Sequence, residues 1–146
     1  STILKNNFSE MSQLDSTIAS RISGLQKKKN DEYWFVHADE KAALDSEKAS
    51  HEGQIADLNK QIAALAEVVA VTEIENQIAA KTKEKDSLGL FKGKEKKALQ
   101  AQIDELNTRL SDAKKAKETA VIPFNESIAK LQSRIKEIDT ELTKDR

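Results

Sequence analysis

Leu99, Ile103, Leu106, Leu110 and Ala113 advance by four, three, four and three residues, and this spacing constrains the chain more than any other feature. Apolar residues that alternate in this way fall on one narrow stripe of an α-helix, the a and d positions of a coiled coil. Lys117 takes the next place. Val121, Phe124, Ile128, Leu131, Ile135, Ile138 and Leu142 then carry the stripe nearly to the C-terminus. From Ala113 through Lys117 to Val121 the steps are four and four, a stutter that locally unwinds a supercoil. Pro123 follows, and a proline inside a helix removes one hydrogen bond and crowds the preceding turn. The pattern predicts a long helix over 95–146 with a stutter or kink, or a short break, near 119–124.

The middle of the chain repeats this logic. Ile55, Leu58, Ile62, Leu65 and Val69 keep the same spacing, and Val71, Ile74 and Ile78 resume it after a phase shift. Val68, Val69 and Val71 widen the band there enough for a third helix or a second chain. Between the two striped halves lies Ser87-Leu88-Gly89-Leu90-Phe91-Lys92-Gly93-Lys94. Its two glycines are the strongest breaker in the sequence, and Gly89 suits the left-handed residue that closes a helix. A reversal at 87–94 gives two arms of similar length, and so an antiparallel hairpin.

A third stripe, Leu4, Phe8, Met11, Ile18, Ile22 and Leu25, occupies the N-terminal part, with Asp15 as a polar interruption. Two arrangements are open. In the favoured one the chain turns at Asn30-Asp31, so that an N-terminal helix over 1–30 folds back on a long helix over 31–86. In the other, one helix runs from about Asn7 to Asp86 and the N-terminal stripe serves dimerisation. The expected fold is therefore a single all-α domain over 1–146: an elongated antiparallel coiled-coil hairpin with a three-helix base formed by the N-terminal helix.

Composition agrees with long helices. Charged residues make up 34% of the chain and aromatic residues 4%, with four glycines and one proline; a compact globule needs more large apolar side chains. The pairs Glu105–Arg109 and Glu126–Lys130 have the favourable i,i+4 order. A net charge of −1 provides no global field for nucleic acid or an anionic membrane. No cysteine is present, and no apolar run approaches a membrane span. With no targeting segment visible, the cytoplasm is the default compartment, unless the chain is a fragment that has lost such a segment.

Catalytic chemistry finds little support. Gly89 and Gly93 lack the ending of a phosphate-binding loop. His37 and His51 stand fourteen residues apart, about 21 Å along a helix at 1.5 Å per residue, too far to share a metal. Glu47 and His51 form at best a weak surface pair, and both histidines read as solvent-facing. The expectation is a non-enzyme with no catalytic residue, cofactor, metal or small-molecule substrate.

Two segments stand out as contact candidates. Leu88, Leu90 and Phe91 read as a plug for the open end of the seam, with Lys92, Lys94, Lys96 and Lys97 left in water as candidate anion contacts. Leu90 and Phe91 are also candidate partner contacts. Tyr33-Trp34-Phe35-Val36 points all around a helix, so one neighbour cannot cover it. Either two helices bury it, or Tyr33, Trp34 and Phe35 form part of a partner-binding patch. Lys27-Lys28-Lys29 reads as a solvated helix end, placed against the C-terminal dipole.

The stretch from Leu88 to Gln100, followed by Ile103 and Leu106, resembles a connector between two helices that recurs in poorly characterised bacterial coiled-coil proteins. The likeness covers residues 85–110. It implies a bacterial or phage source and a helical hairpin, and it brings no catalytic residue and no partner.

The function expected from these residues is that of a coiled-coil interaction or scaffold module, a rigid spacer with contact surfaces at its ends. Its partner would be a protein of unknown identity or a second copy of the chain. One alternative is a protein that touches a membrane or nucleic acid through the basic tip 88–97. Another, by analogy of shape, is a receptor-binding or secretion-associated hairpin of a bacterial toxin system.

Overall fold

A computed structural model describes residues 2–146. It contains four helices: α1 (Thr2–Val36), α2 (Ala38–Ala64), α3 (Ala66–Asp86) and α4 (Gly93–Thr143). No strand occurs among the described residues. The fold is an all-α helical hairpin in which α4 packs against α3 and α2. The chain divides into two compact units, one of residues 1–51 and 133–146 and one of residues 52–132.

The second unit holds the hairpin turn. Ser87 caps α3 in a right-handed conformation, and its hydroxyl donates to the Glu84 carbonyl at 2.8 Å. The Leu88 amide donates to the Lys85 carbonyl, and the Lys92 amide closes a tight turn onto the Gly89 carbonyl at 3.1 Å. No glycine adopts positive φ, so Gly89 is not the left-handed cap that the sequence suggested. Beyond the turn the Lys85 ammonium donates to Gln100 at 2.6 Å. The core of this unit comprises Val71, Ile74, Leu99, Ile103, Leu106 and Ile128. These are members of the predicted stripes, as the seam of a helix pair requires.

Of the kink or short break expected near 119–124, the break is absent, because helix is continuous through Pro123. The interruption lies in the facing arm of the hairpin, at Leu65, the N-cap of α3, which takes an extended ψ of 137°. Counting outward from the Lys85–Gln100 contact puts Leu65 level with about residue 120. Both places depart from the four/three spacing. The apolar residues of α4 advance by four and four at Ala113, Lys117 and Val121, whereas those of the facing arm advance by three at Leu65, Val68, Val71 and Ile74. Steps of three rotate the stripe backwards by about 60° each on a helix of 3.6 residues per turn. The extended residue Leu65 stands at the head of this run, and Val71 and Ile74 behind it are buried on the seam.

In the first unit the favoured turn at Asn30-Asp31 is not made. Both residues lie inside α1, and the bonds His37 N–H to Tyr33 O (2.9 Å) and Lys41 N–H to His37 O (3.0 Å) carry the helical pattern on into α2. Asparagine promotes turns when its side chain bonds the local backbone. Here the Asn30 amide is committed elsewhere, to the Leu142 carbonyl at 2.9 Å. Lys27-Lys28-Lys29 accordingly lies within the helix and not at its end. α1 contributes only its last turns to packing in this unit, where Trp34 is buried, while residues 2–29 are exposed. In the same unit Ile138 of α4 is fully buried.

Candidate contact surfaces

The hairpin turn displays its apolar residues. Leu90 and Phe91 are the two central residues of the Gly89–Lys92 turn, and they expose 92% and 100% of their surface. The apex of a four-residue turn points away from the backbone that it closes. The expected plug therefore reduces to Leu88, which is half-buried. Lys92, Lys94 and Lys97 are exposed and Lys96 is half-buried. They flank the start of α4, where Glu95 supplies the first turn's acidic residue. The positive end of a helix dipole favours anions by about 0.3–1 kcal/mol each and disfavours cations similarly. This basic cluster opposes the helix it begins, and an anion brought to it would be held by lysines and dipole together.

The aromatic segment separates residue by residue. Trp34 is 6% exposed, and its indole Nε1–H donates to the Leu142 carbonyl at 3.0 Å. Trp34 is thus a core residue. Tyr33 is half-buried; it meets Trp34 edge-on at 4.9 Å and stacks on His37 at 4.1 Å. The Arg146 guanidinium lies 3.8 Å from the Tyr33 ring centre. Phe35 and Val36 face solvent, where they line an open groove with Lys28, Asp31 and Glu32. Of the three aromatic residues considered for partner contact, Phe35 alone is freely presented.

Sequence reasoning missed how the end of α4 is closed. The last carbonyls of a helix have no partner within it. Asn30 and Trp34 both donate to that of Leu142, and Arg146 donates to that of Glu141 at 3.0 Å and to the Glu141 carboxylate at 2.9 Å. The donors stand more than a hundred residues from Leu142 in sequence, so no local signal marks them. Asn30 Oδ1 is buried there with no partner within the chain.

Glu47 and Arg134 form a two-pronged ion pair in the same unit, with Nε to Oε1 and Nη2 to Oε2 both at 2.9 Å. The guanidinium holds the Glu47 carboxyl below its usual 4.5; desolvation opposes this, and a hydrogen bond from His51 adds to it. Glu141 is lowered likewise by the hydrogen bond from Arg146. Both Glu47 oxygens are thereby engaged. Among the described residues no group of three or more His, Asp or Glu side chains is placed to hold a metal.

A carboxylate with a lowered native pKa stabilises the fold above its unfolded value and loses that contribution as pH falls through the native one. The protein should therefore weaken on acidification below about 4.5, the value of an unperturbed carboxyl. In Arg134→Gln the Glu47 titration, followed by side-chain carboxyl NMR, should move up towards that value, and the acid-side loss of stability should shrink. An unchanged Glu47 titration would contradict the assignment.

The third surface is α1 itself. Ile3, Leu4, Phe8, Met11, Leu14, Ile18, Ile22 and Leu25 are all exposed, by 46% to 76%. All of them but Ile3 and Leu14 belong to the stripe that the sequence showed, and among the described residues the stripe stays exposed. No helix among the described residues is long and apolar enough to cross a membrane. No family model matches this chain, and no curated protein or solved structure matches it either.

Proposed function

We propose that this protein is a non-enzymatic helical interaction module whose hairpin turn presents Leu90 and Phe91 to a protein partner. The observation that carries the proposal is the full exposure of Phe91 beside Leu90, on a turn held by its own backbone hydrogen bonds. A large aromatic side chain on a constrained turn gives up little conformational freedom on binding, and aromatic anchors supply much of the energy of protein interfaces. The helices beneath the turn act as its support.

Phe91→Ser and Leu90→Ser should leave stability within about 0.5 kcal/mol of wild type, the range for surface substitutions. A photo-crosslinking residue at position 91 should form a discrete adduct in extract of the source cells. That adduct should be competed by unlabelled wild-type chain and not by the Phe91→Ser chain. Equal competition by both would remove the turn from consideration.

The three exposed lysines beside Phe91 favour a second reading, contact with an anionic lipid surface. Each lysine near such a surface contributes about 1 kcal/mol, and added salt screens it. Vesicles containing phosphatidylserine should then bind wild type and fail to bind a chain with Lys92, Lys94 and Lys97 changed to Glu. Binding unaffected by those changes eliminates the lipid reading; loss on neutral vesicles alone separates it from simple apolar adsorption.

A further inference from the structure

The apolar stripe of α1 is too large to be incidental. It comprises eight large side chains, which at on the order of 100 Å² each amount to roughly 800 Å², the share that each partner gives to a standard protein interface. At 100° per residue the stripe points about a third of a turn away from Asn30 and Trp34, which bond the end of α4. A partner on the stripe leaves those bonds undisturbed.

The charges along α1 identify the partner. Residues 2–19 carry Lys5, Glu10 and Asp15, residues 20–30 carry Arg21, Lys27, Lys28 and Lys29, and Asp31 and Glu32 follow. A second α1 laid antiparallel sets the basic stretch of one copy on the acidic stretch of the other. A parallel copy sets basic on basic. It also places Asp15 and Lys29, which occupy stripe positions, opposite their own counterparts in the seam, where like charges are costly.

We infer that two copies of this chain pair through α1 in antiparallel orientation, centred near Ser20. In that register Asp15 of one copy is level with Leu25 of the second copy and about one turn from its Lys29. Leu4 lies over Val36, which is itself exposed. The pairing stands independently of any role of the hairpin turn.

The full chain should elute in gel filtration with light scattering at twice its 16.2 kDa. Phe8→Lys combined with Ile22→Lys should return it to 16.2 kDa at concentrations where wild type is dimeric, with unchanged helicity and melting, because both residues are exposed. Spin labels then read the orientation. Labels at Ser20 should lie close across the pair, whereas labels at Ser12 should be offset by about 24 Å along the axis at 1.5 Å per residue. A wild-type chain that stays at 16.2 kDa at every concentration overturns the proposal and assigns the stripe to a different protein. A mass above the dimer, or a double variant that remains dimeric, overturns it too. Ser12 labels as close as Ser20 labels would establish the parallel pair and refute the charge argument.

Discussion

Trp34→Ala should destabilise the first unit by about 3–5 kcal/mol, the cost of emptying an aromatic site in a core. This unit has few buried side chains to share the loss, Trp34 and Ile138 being its buried apolar residues. The substitution also removes one of the two donors to the Leu142 carbonyl and a ring that lies 5.2 Å from the Arg146 guanidinium. Amide exchange should therefore accelerate in 133–143 and in 30–51, with the core of the other unit less affected. Trp34→Phe separates the two contributions. It keeps most of the packing and loses the indole donor, while Asn30 still bonds the same carbonyl; its cost should be about 1 kcal/mol. Trp34 is the only tryptophan, so wild-type fluorescence reports this site directly. Its emission should be that of a buried indole and should shift to that of an exposed one when the unit opens. A fully hydrated emission from the native protein, or a Trp34→Ala chain as stable as wild type, would mean that the aromatic segment is a free surface after all.

Ile103→Asp should be the most damaging single change in the second unit. Ile103 is buried in the seam between Leu99 and Leu106, an apolar setting for a carboxylate. An uncompensated buried charge costs about 3–5 kcal/mol, in addition to the packing of the lost side chain. The same substitution at Leu90, thirteen residues away and almost wholly exposed, should change stability by no more than about 0.5 kcal/mol. Chemical denaturation followed by far-ultraviolet circular dichroism measures both. The contrast matters more than either value: Leu90 is as apolar as Ile103, and only position distinguishes them. Comparable losses at the two sites would show that the turn is packed and not displayed.

Much of the hairpin follows from the order of residues alone. The stripe of α4 from Leu99 to Leu142 contains no exposed member, because a four/three repeat can face a neighbour only along one line of a helix. The reversal at 87–92 follows from glycines that interrupt this periodicity, joined to arms that need each other's apolar face. A phase shift between Val69 and Val71 was also visible, as a change of spacing in the valines, although the spacing marked no interruption at Leu65. What sequence could not settle was which of two facing helices would yield there. Pro123 pointed to α4, yet α4 stays helical and Leu65 gives way. A proline deletes a single hydrogen bond, whereas a run of three-residue steps turns side chains off the seam.

Other features were decided by tertiary structure. The stripe of α1 has the same spacing as that of α4, but one is exposed and the other covered; periodicity specifies a face and not its occupant. Trp34 and Phe35 are neighbours in sequence and nearly equal in hydrophobicity. They project about 100° apart on the helix, and the position of the α4 terminus buries the first and leaves the second in water. The Leu142 carbonyl is bonded by side chains that only folding brings near it. Local spacing fixed where helices form and which side of each is apolar, since both depend on residues within a few turns. Which apolar sides meet depends on residues far apart along the chain, and only the three-dimensional arrangement could select them.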